Sequence, residues 1–128
     1  MKPTLPSHPA RLASLSLLFA LLAGAPPAHA ADAGVSDTEI VIGNSITLQG
    51  GKNAYGAAAH AGMTLYFNAL NAAGGVHGRR IVMRTLDDDN NTSTAEANAR
   101  KLVKDGVFLL FGSVEGGPST AVMKAAGE

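Results

Sequence analysis

Three observations predict an α/β fold for this chain, a parallel sheet with flanking helices. Segments of strand length recur at Ile40–Gly43, at Arg79/Arg80–Asp87 with Ile81, Val82, Met83 and Leu86 as its apolar members, and at the apolar run Val107–Phe111. A stretch with helical spacing follows every one of them. Glycines or small polar residues mark each junction. Short strands alternating with helices argue for parallel β-α-β units. In such sheets ligands bind beyond the carboxyl ends of the strands, where the strand order reverses. The loop after the first strand and the turn Gly112–Pro118 both lie at that end.

The elements follow in order. Asp37-Thr38-Glu39 leads into the first strand, and Gly50-Gly51 turns the chain after it. Tyr55, Ala59, Gly62, Tyr66 and Leu70 then recur at steps of three and four, with Met63, Leu65 and Phe67 alongside. That predicts a long helix from about Asn53 with a broad apolar face, stopped at Gly74-Gly75. After the second strand, Ser93-Thr94-Ala95-Glu96 fits a capping box, with Ser93 as N-cap. The helix it opens places Ala95, Ala99, Leu102 and Val103 on one face and pairs Glu96 with Arg100. Val107–Phe111 reads as a strand buried on both faces. Gly116-Gly117-Pro118 leads into a third helix with the proline at its first position.

That last junction is the centre of interest. A strand, a glycine turn and a helix N-terminus together can hold a small anion, through free N–H groups and the positive end of the helix dipole. Ser113, Ser119 and Thr120 add candidate hydroxyl donors. The alternative is a turn whose glycines only relieve strain.

The chain has 128 residues, one domain at most, and its first thirty read as an export signal. Lys2 and Arg11 form a basic start, Leu12–Ala23 is an uncharged apolar run too short to span a bilayer, and Gly24-Ala25-Pro26-Pro27 breaks it. Ala28-His29-Ala30 has the small-x-small form of a cleavage site, so cleavage is expected after Ala30. A short buried helix would not account for these three features together. Without Lys2 and Arg11, eight of the ten basic residues remain against ten acidic ones, a net charge of −2. No basic patch points to nucleic acid or to a membrane surface. There is no cysteine, hence no disulfide, thiolate chemistry or cysteine-held metal.

Other chemistry fails on pattern. Gly51-Lys52 lacks the glycine and the hydroxyl of a phosphate loop, because Ile46 and Asn53 stand at those positions. No dinucleotide fingerprint and no nucleophile elbow are present. Asp87, Asp89 and Asn91 have calcium-loop spacing, but Thr92 and Asn98 replace the required glycine and glutamate. Asp87-Asp88-Asp89 is therefore read as a solvated strand end, and His60 and His77 as surface residues. No cofactor and no metal are expected, and no enzyme, for want of a nucleophile–base pair.

Several segments together resemble one family. Gly34-Val35-Ser36-Asp37-Thr38-Glu39-Ile40-Val41-Ile42-Gly43 is similar to the opening of mature substrate-binding proteins of the branched-chain amino acid type. Tyr55-Gly56 and Asn71–Arg79 resemble their first helix and the turn after it. Leu86-Asp87-Asp88 resembles the end of their second strand, and Lys101-Leu102-Val103 their second helix. Phe111-Gly112-Ser113 with Gly116–Thr120 resembles their ligand loop. These are the type I periplasmic receptors of ABC importers.

The resemblance implies a two-lobed protein closing on an amino acid or small carboxylate, which it passes to a membrane permease. It implies a periplasmic location and a ligand site at Tyr55, Ser113, Gly116, Gly117, Ser119 and Thr120. Tyr55 would pack on the ligand and the others would hold its carboxylate. A sensory module of the same fold, regulating rather than transporting, is the alternative. Gln49-Gly50-Gly51 departs from the family's S-G-P, and Gly116 and Gly117 replace serines. Glu115 is read either as the partner of a ligand ammonium group or as an exposed, unpaired carboxylate. Residues 31–128 correspond to the N-terminal part of a first lobe. A truncated lobe would expose a sheet edge and half a cleft, so marginal stability and weak binding are expected.

Overall fold

The computed structural model describes residues 32–127. The predicted export signal over residues 1–30 lies outside them. The elements are β1 (Glu39–Ile46), α1 (Ala54–Ala72), β2 (Arg80–Asp87), α2 (Thr92–Lys104), β3 (Leu109–Leu110) and α3 (Gly116–Ala126). The three strands form a sheet in the order β2-β1-β3, with both pairings parallel. Ile42 stands opposite Met83 on one side and Leu109 on the other. The predicted parallel sheet with flanking helices is therefore observed. The chain leaves β1 for one neighbour, then crosses back to the other. The strand order thus reverses between β1 and β3, and their carboxyl ends meet there.

Successive residues of a strand face opposite sides of the sheet. A side-chain carbon on Gly43 would meet Leu102 of α2 and Leu110. Its neighbour Asn44 approaches the opposite layer, where Gly112 lies against Met63 of α1. Hence α2 covers one face and α1 the other. On the α2 face, Ala95 and Ala99 pack against Val122 and Ala125 of α3, with Leu110 beneath. Alanines let these two helices approach closely, and burying the shared seam removes apolar surface from water.

Several local expectations are corrected. The first strand runs on past Gly43 to Ile46, because Asn44 and Ser45 are buried and hydrogen-bonded there. The face predicted for α1 is divided: Ala59, Met63, Phe67 and Leu70 are half-buried, whereas Tyr55 (83% exposed), Gly62, Leu65 and Tyr66 lie in water. The fully buried residue of α1 is Gly56. Helix α2 is capped by Asn91, whose side chain accepts from Thr94 N at 3.0 Å. Asn91 has the extended backbone an N-cap needs, and Ser93 already lies inside the helix. Ala95, Ala99 and Leu102 are buried as predicted, whereas Val103 is exposed. The Glu96–Arg100 pair forms, at 3.0 Å.

The strand expected over Val107–Phe111 is narrowed to Leu109–Leu110, although Phe108 N and Phe111 N on either side also donate to the Val41 and Gly43 carbonyls at 2.8 Å. It is not buried on both faces. It lies at the sheet edge, with Val107 buried and Phe108, Leu109 and Phe111 exposed. Helix α3 begins at Gly116 with Glu115 as its N-cap, so Pro118 is the third helical residue and not the first. Proline is still tolerated there, because N–H groups of the first turn have no intrahelical acceptor. The glycine stop after α1 is present as predicted, with Gly74 and Gly75 at positive φ. Just before it, Asn71 in the last turn of α1 bonds both the N–H and the C=O of Ile81 at 2.8 Å, and so covers part of the outer edge of β2.

Candidate functional site

The carboxyl ends of the three strands form a polar floor centred on Thr47. Its hydroxyl donates to Asp88 Oδ1 at 2.8 Å, and its N–H donates to Glu115 Oε1 at 3.0 Å. Both carboxylates are buried, Asp88 at 0% and Glu115 at 3% exposure. Asp88 also accepts from Ser45 Oγ at 3.2 Å and from Asn90 N at 3.0 Å. Asn98 of α2 donates to Ser45 Oγ and to the Asp87 carbonyl. A buried carboxylate is tolerable only with such donors around it. The expectation of a solvated strand end is thus corrected: Asp89 is exposed, Asp87 is half-buried and Asp88 is fully buried.

Asp87 and Asp89 hold the loop that leads into α1. Asp87 accepts from Leu48 N at 3.2 Å, Gln49 Nε2 at 3.3 Å and Asp89 N at 2.9 Å. The Asp89 N–H chiefly holds the Asp87 carboxyl below the ordinary aspartate range. Burial works against this, while Leu48 N–H, Gln49 and the Lys52 charge add to it. Asp89 pairs with Lys52 and accepts from Gln49 Nε2 at 3.1 Å. Asp89 and Asn90 both have positive φ, 58° and 57°. Aspartate and asparagine tolerate that conformation best among residues with side chains, and here the preceding carboxylates bond their N–H groups.

On the other side, Gly112 turns the chain with φ +82°, a conformation open to glycine at no steric cost. A side-chain carbon there would stand 2.4 Å from Met63 Sδ. Asn44 Nδ2 donates to the Phe111 carbonyl at 2.6 Å, tying β1 to the end of β3.

The predicted ligand residues fall in two places. Ser113, Gly116, Gly117, Ser119 and Thr120 share the turn into α3. Ser113 Oγ donates to the Ser45 carbonyl, and Thr120 Oγ1 donates to the Gly116 carbonyl at 3.0 Å. Ser119 Oγ is buried and has no hydrogen-bond partner among the described residues. Gly116 and Gly117 are the first two residues of α3, so their N–H groups have no intrahelical acceptor. Gly117 packs closely on Thr92, where a side-chain carbon would come within 2.7 Å of the hydroxyl. Tyr55 stands at the opening of α1, its N–H bonded to the Asn53 cap at 3.0 Å and its ring in solvent.

Glu115 is neither exposed nor unpaired, which corrects one of its two expected roles. Besides Thr47 N it accepts from Val114 N at 3.2 Å. The polar floor of Asn44, Thr47, Asp88 and Glu115 went unread in the sequence. Its signal was faint: acids and amides at strand ends, which resemble ordinary solvated turns. Among the described residues no group of three or more His, Cys, Asp or Glu is placed to hold a metal ion. No described helix is long and apolar enough to cross a membrane.

Comparison with known proteins gives a consistent picture. A Leu/Ile/Val-binding protein of Rhizobium johnstonii is 32% identical over 111 residues, covering 87% of this chain and 28% of the relative. The chain thus spans little more than a quarter of that protein's length. The substrate-binding protein LivJ of a branched-chain amino acid transporter from Streptococcus pneumoniae, solved with isoleucine, superposes with a TM-score of 0.66 at 30% identity. That match covers 70% of this chain and 26% of the other. A fatty acid ABC transporter substrate-binding protein from Thermomonospora curvata gives a TM-score of 0.64 at 25% identity, covering 73% and 24%. A family model described as periplasmic binding protein matches residues 39–128. The family is one of binding proteins, not enzymes. With the parallel β2-β1-β3 sheet and the paired loops at its switch point, this match places the chain in the periplasmic binding protein family, with the type I fold.

Proposed function

We propose that the chain supplies first-lobe residues of an extracytoplasmic solute-binding component of an ABC importer, with a branched-chain amino acid or related small carboxylate as its ligand. Residues 1–30 serve as the export signal, cleaved after Ala30, and residues 31–128 form the N-terminal part of the first lobe in the periplasm. A membrane permease receives the ligand. In this reading the ligand's carboxylate lies at the opening turn of α3, on the N–H groups of Gly116 and Gly117 and the hydroxyls of Ser113, Ser119 and Thr120. Tyr55 packs against its apolar part.

One observation carries the reading: the turn into α3, with two N–H groups lacking an intrahelical acceptor, opens beside the carboxyl end of β1 at the switch point of the sheet. The positive end of a helix favours an anion there. The Streptococcus pneumoniae neighbour was solved with isoleucine, and the Thermomonospora curvata neighbour belongs to a fatty acid transporter. Both ligand types present a carboxylate. The test is a titration of isoleucine into the isotope-labelled chain, with a short fatty acid as the second arm. Saturable shifts at the Gly116 and Gly117 amides are expected. Shifts with isoleucine alone mark an amino acid site, and shifts with both mark a general carboxylate site. Unmoved Gly116 and Gly117 amides in both arms would overturn the reading.

A further inference from the structure

We infer that Glu115 is a positioning residue for the ligand site, a latch that sets the gap between Tyr55 and the turn into α3. The inference rests on the function proposed above. A single carboxylate touches three segments. It accepts from Thr47 N, in the loop after β1, at 3.0 Å, and from Val114 N, in the loop after β3, at 3.2 Å. It also lies against Gly56 of α1, where a side-chain carbon would stand 2.1 Å from Glu115 Oε1 and 2.7 Å from the Thr47 carbonyl. Gly56 is the fully buried residue of α1.

Tyr55 adjoins Gly56 in the chain, and Gly116 adjoins Glu115. The two halves of the proposed site thus meet, one residue removed on each side, at one contact. At 3% exposure the Glu115 carboxylate faces protein and not a ligand, so it acts through the groups it holds. Its acceptors are matched to backbone donors, which makes the bonds strong and the geometry narrow. Gly56 is required because only a residue without a side chain admits the carboxylate so close to the helix.

Amide hydrogen exchange and isoleucine binding, measured together on the whole chain, test the latch. In Glu115→Ala, the Thr47 and Val114 amides are each expected to exchange about tenfold faster, as for one lost bond apiece, and the isoleucine Kd to weaken about tenfold. Glu115→Gln is expected to keep the Thr47 bond, lose the Val114 bond and stay within about threefold of the wild-type Kd. This variant also serves if the alanine variant does not fold. Leu102→Ala is the control: it weakens the fold away from the site and leaves the Kd of the folded chain unchanged. Unchanged Thr47 and Val114 exchange in Glu115→Ala or, where that variant does not fold, unchanged Val114 exchange in Glu115→Gln overturns the latch. Faster exchange with an unchanged Kd overturns the positioning role while the functional reading stands. Absence of binding by the wild-type chain overturns the functional reading and the positioning role with it.

Discussion

Helices α1 and α2 do the same topological job, each linking parallel strands across one face of the sheet, yet they are held very differently. Helix α2 buries Ala95, Ala99 and Leu102, and α3 lies along it to complete a dry seam. Helix α1 is longer, 19 residues against 13, yet its fully buried residue is a glycine. Its aromatic contacts are edge-on, Tyr66 to Phe67 and Phe67 to Phe111. Length and apolar content therefore do not determine how firmly a helix is anchored; a second element on its flank does. The polar floor repeats the contrast. Asp88, on the α2 side, is sealed by Ser45 and Thr47, whereas Asp87 and Asp89 reach outward to the loop before α1.

The largest expected effect breaks the comparison most directly. Leu102, 2% exposed, lies over Gly43 of β1. Leu102→Ala should cost about 3 kcal/mol of unfolding free energy, from lost burial and the cavity left behind. Leu65, 74% exposed on α1, should lose less than about 0.5 kcal/mol on the same change. Urea denaturation of the two variants decides it, and equal losses would show that α1 is anchored as firmly as α2.

Asp88→Ala comes next, at about 2 kcal/mol, because it strands the buried Thr47 and Ser45 hydroxyls without their acceptor. Asp89→Asn removes the charge of an exposed pair with Lys52, keeps a side chain suited to φ 58°, and should cost no more than about 1 kcal/mol. A loss at Asp89 equal to that at Asp88 would erase the distinction between inward and outward carboxylates. The capping pair then sharpens the account of α2. Asn91→Ala should cost about 1 kcal/mol, and Ser93→Ala should be near neutral. Thermal melts of the two single variants give the order, and the reverse order would restore Ser93 as the cap.

What could be read from the sequence depended on how local its cause was. The alternation of strands and helices was legible, because an apolar run or a glycine stop acts within a few residues, as at Gly74-Gly75. The exposed stripe of α1 was not, because periodicity shows which residues share a face and not whether anything covers it. The same holds for β3, whose apolar run looks central but lies at an edge. The cap of α2 was misplaced by two residues because Asn91 and Ser93 are both competent, and only the backbone distinguishes them. At the candidate site the turn into α3 was legible as a glycine-proline helix start. Glu115 was not, because its donors come from Thr47, far back in the chain, and from its immediate neighbour. No spacing rule marks a contact between residues 68 positions apart.

The smallest effect concerns pH, and it separates the two faces without disrupting either. The Asp89 N–H, helped by Leu48 N–H, Gln49 and Lys52 and opposed by burial, holds the Asp87 carboxyl below its ordinary range. A carboxylate with a depressed folded value stabilises the fold above its unfolded value, and that contribution is lost as pH falls through the folded one. Acid should therefore loosen the Asp87 contacts first at the loop before α1, where Leu48 and Gln49 donate to it. Amide exchange followed from neutral into acid pH should show Leu48 and Asp89 losing protection ahead of Ala99 and Leu102. Asp87→Asn should flatten that part of the acid response and leave the α2–α3 seam as it was. Simultaneous loss at Leu48 and Leu102 would mean that the two faces open as one unit, and the difference in anchoring would then have no counterpart in local stability.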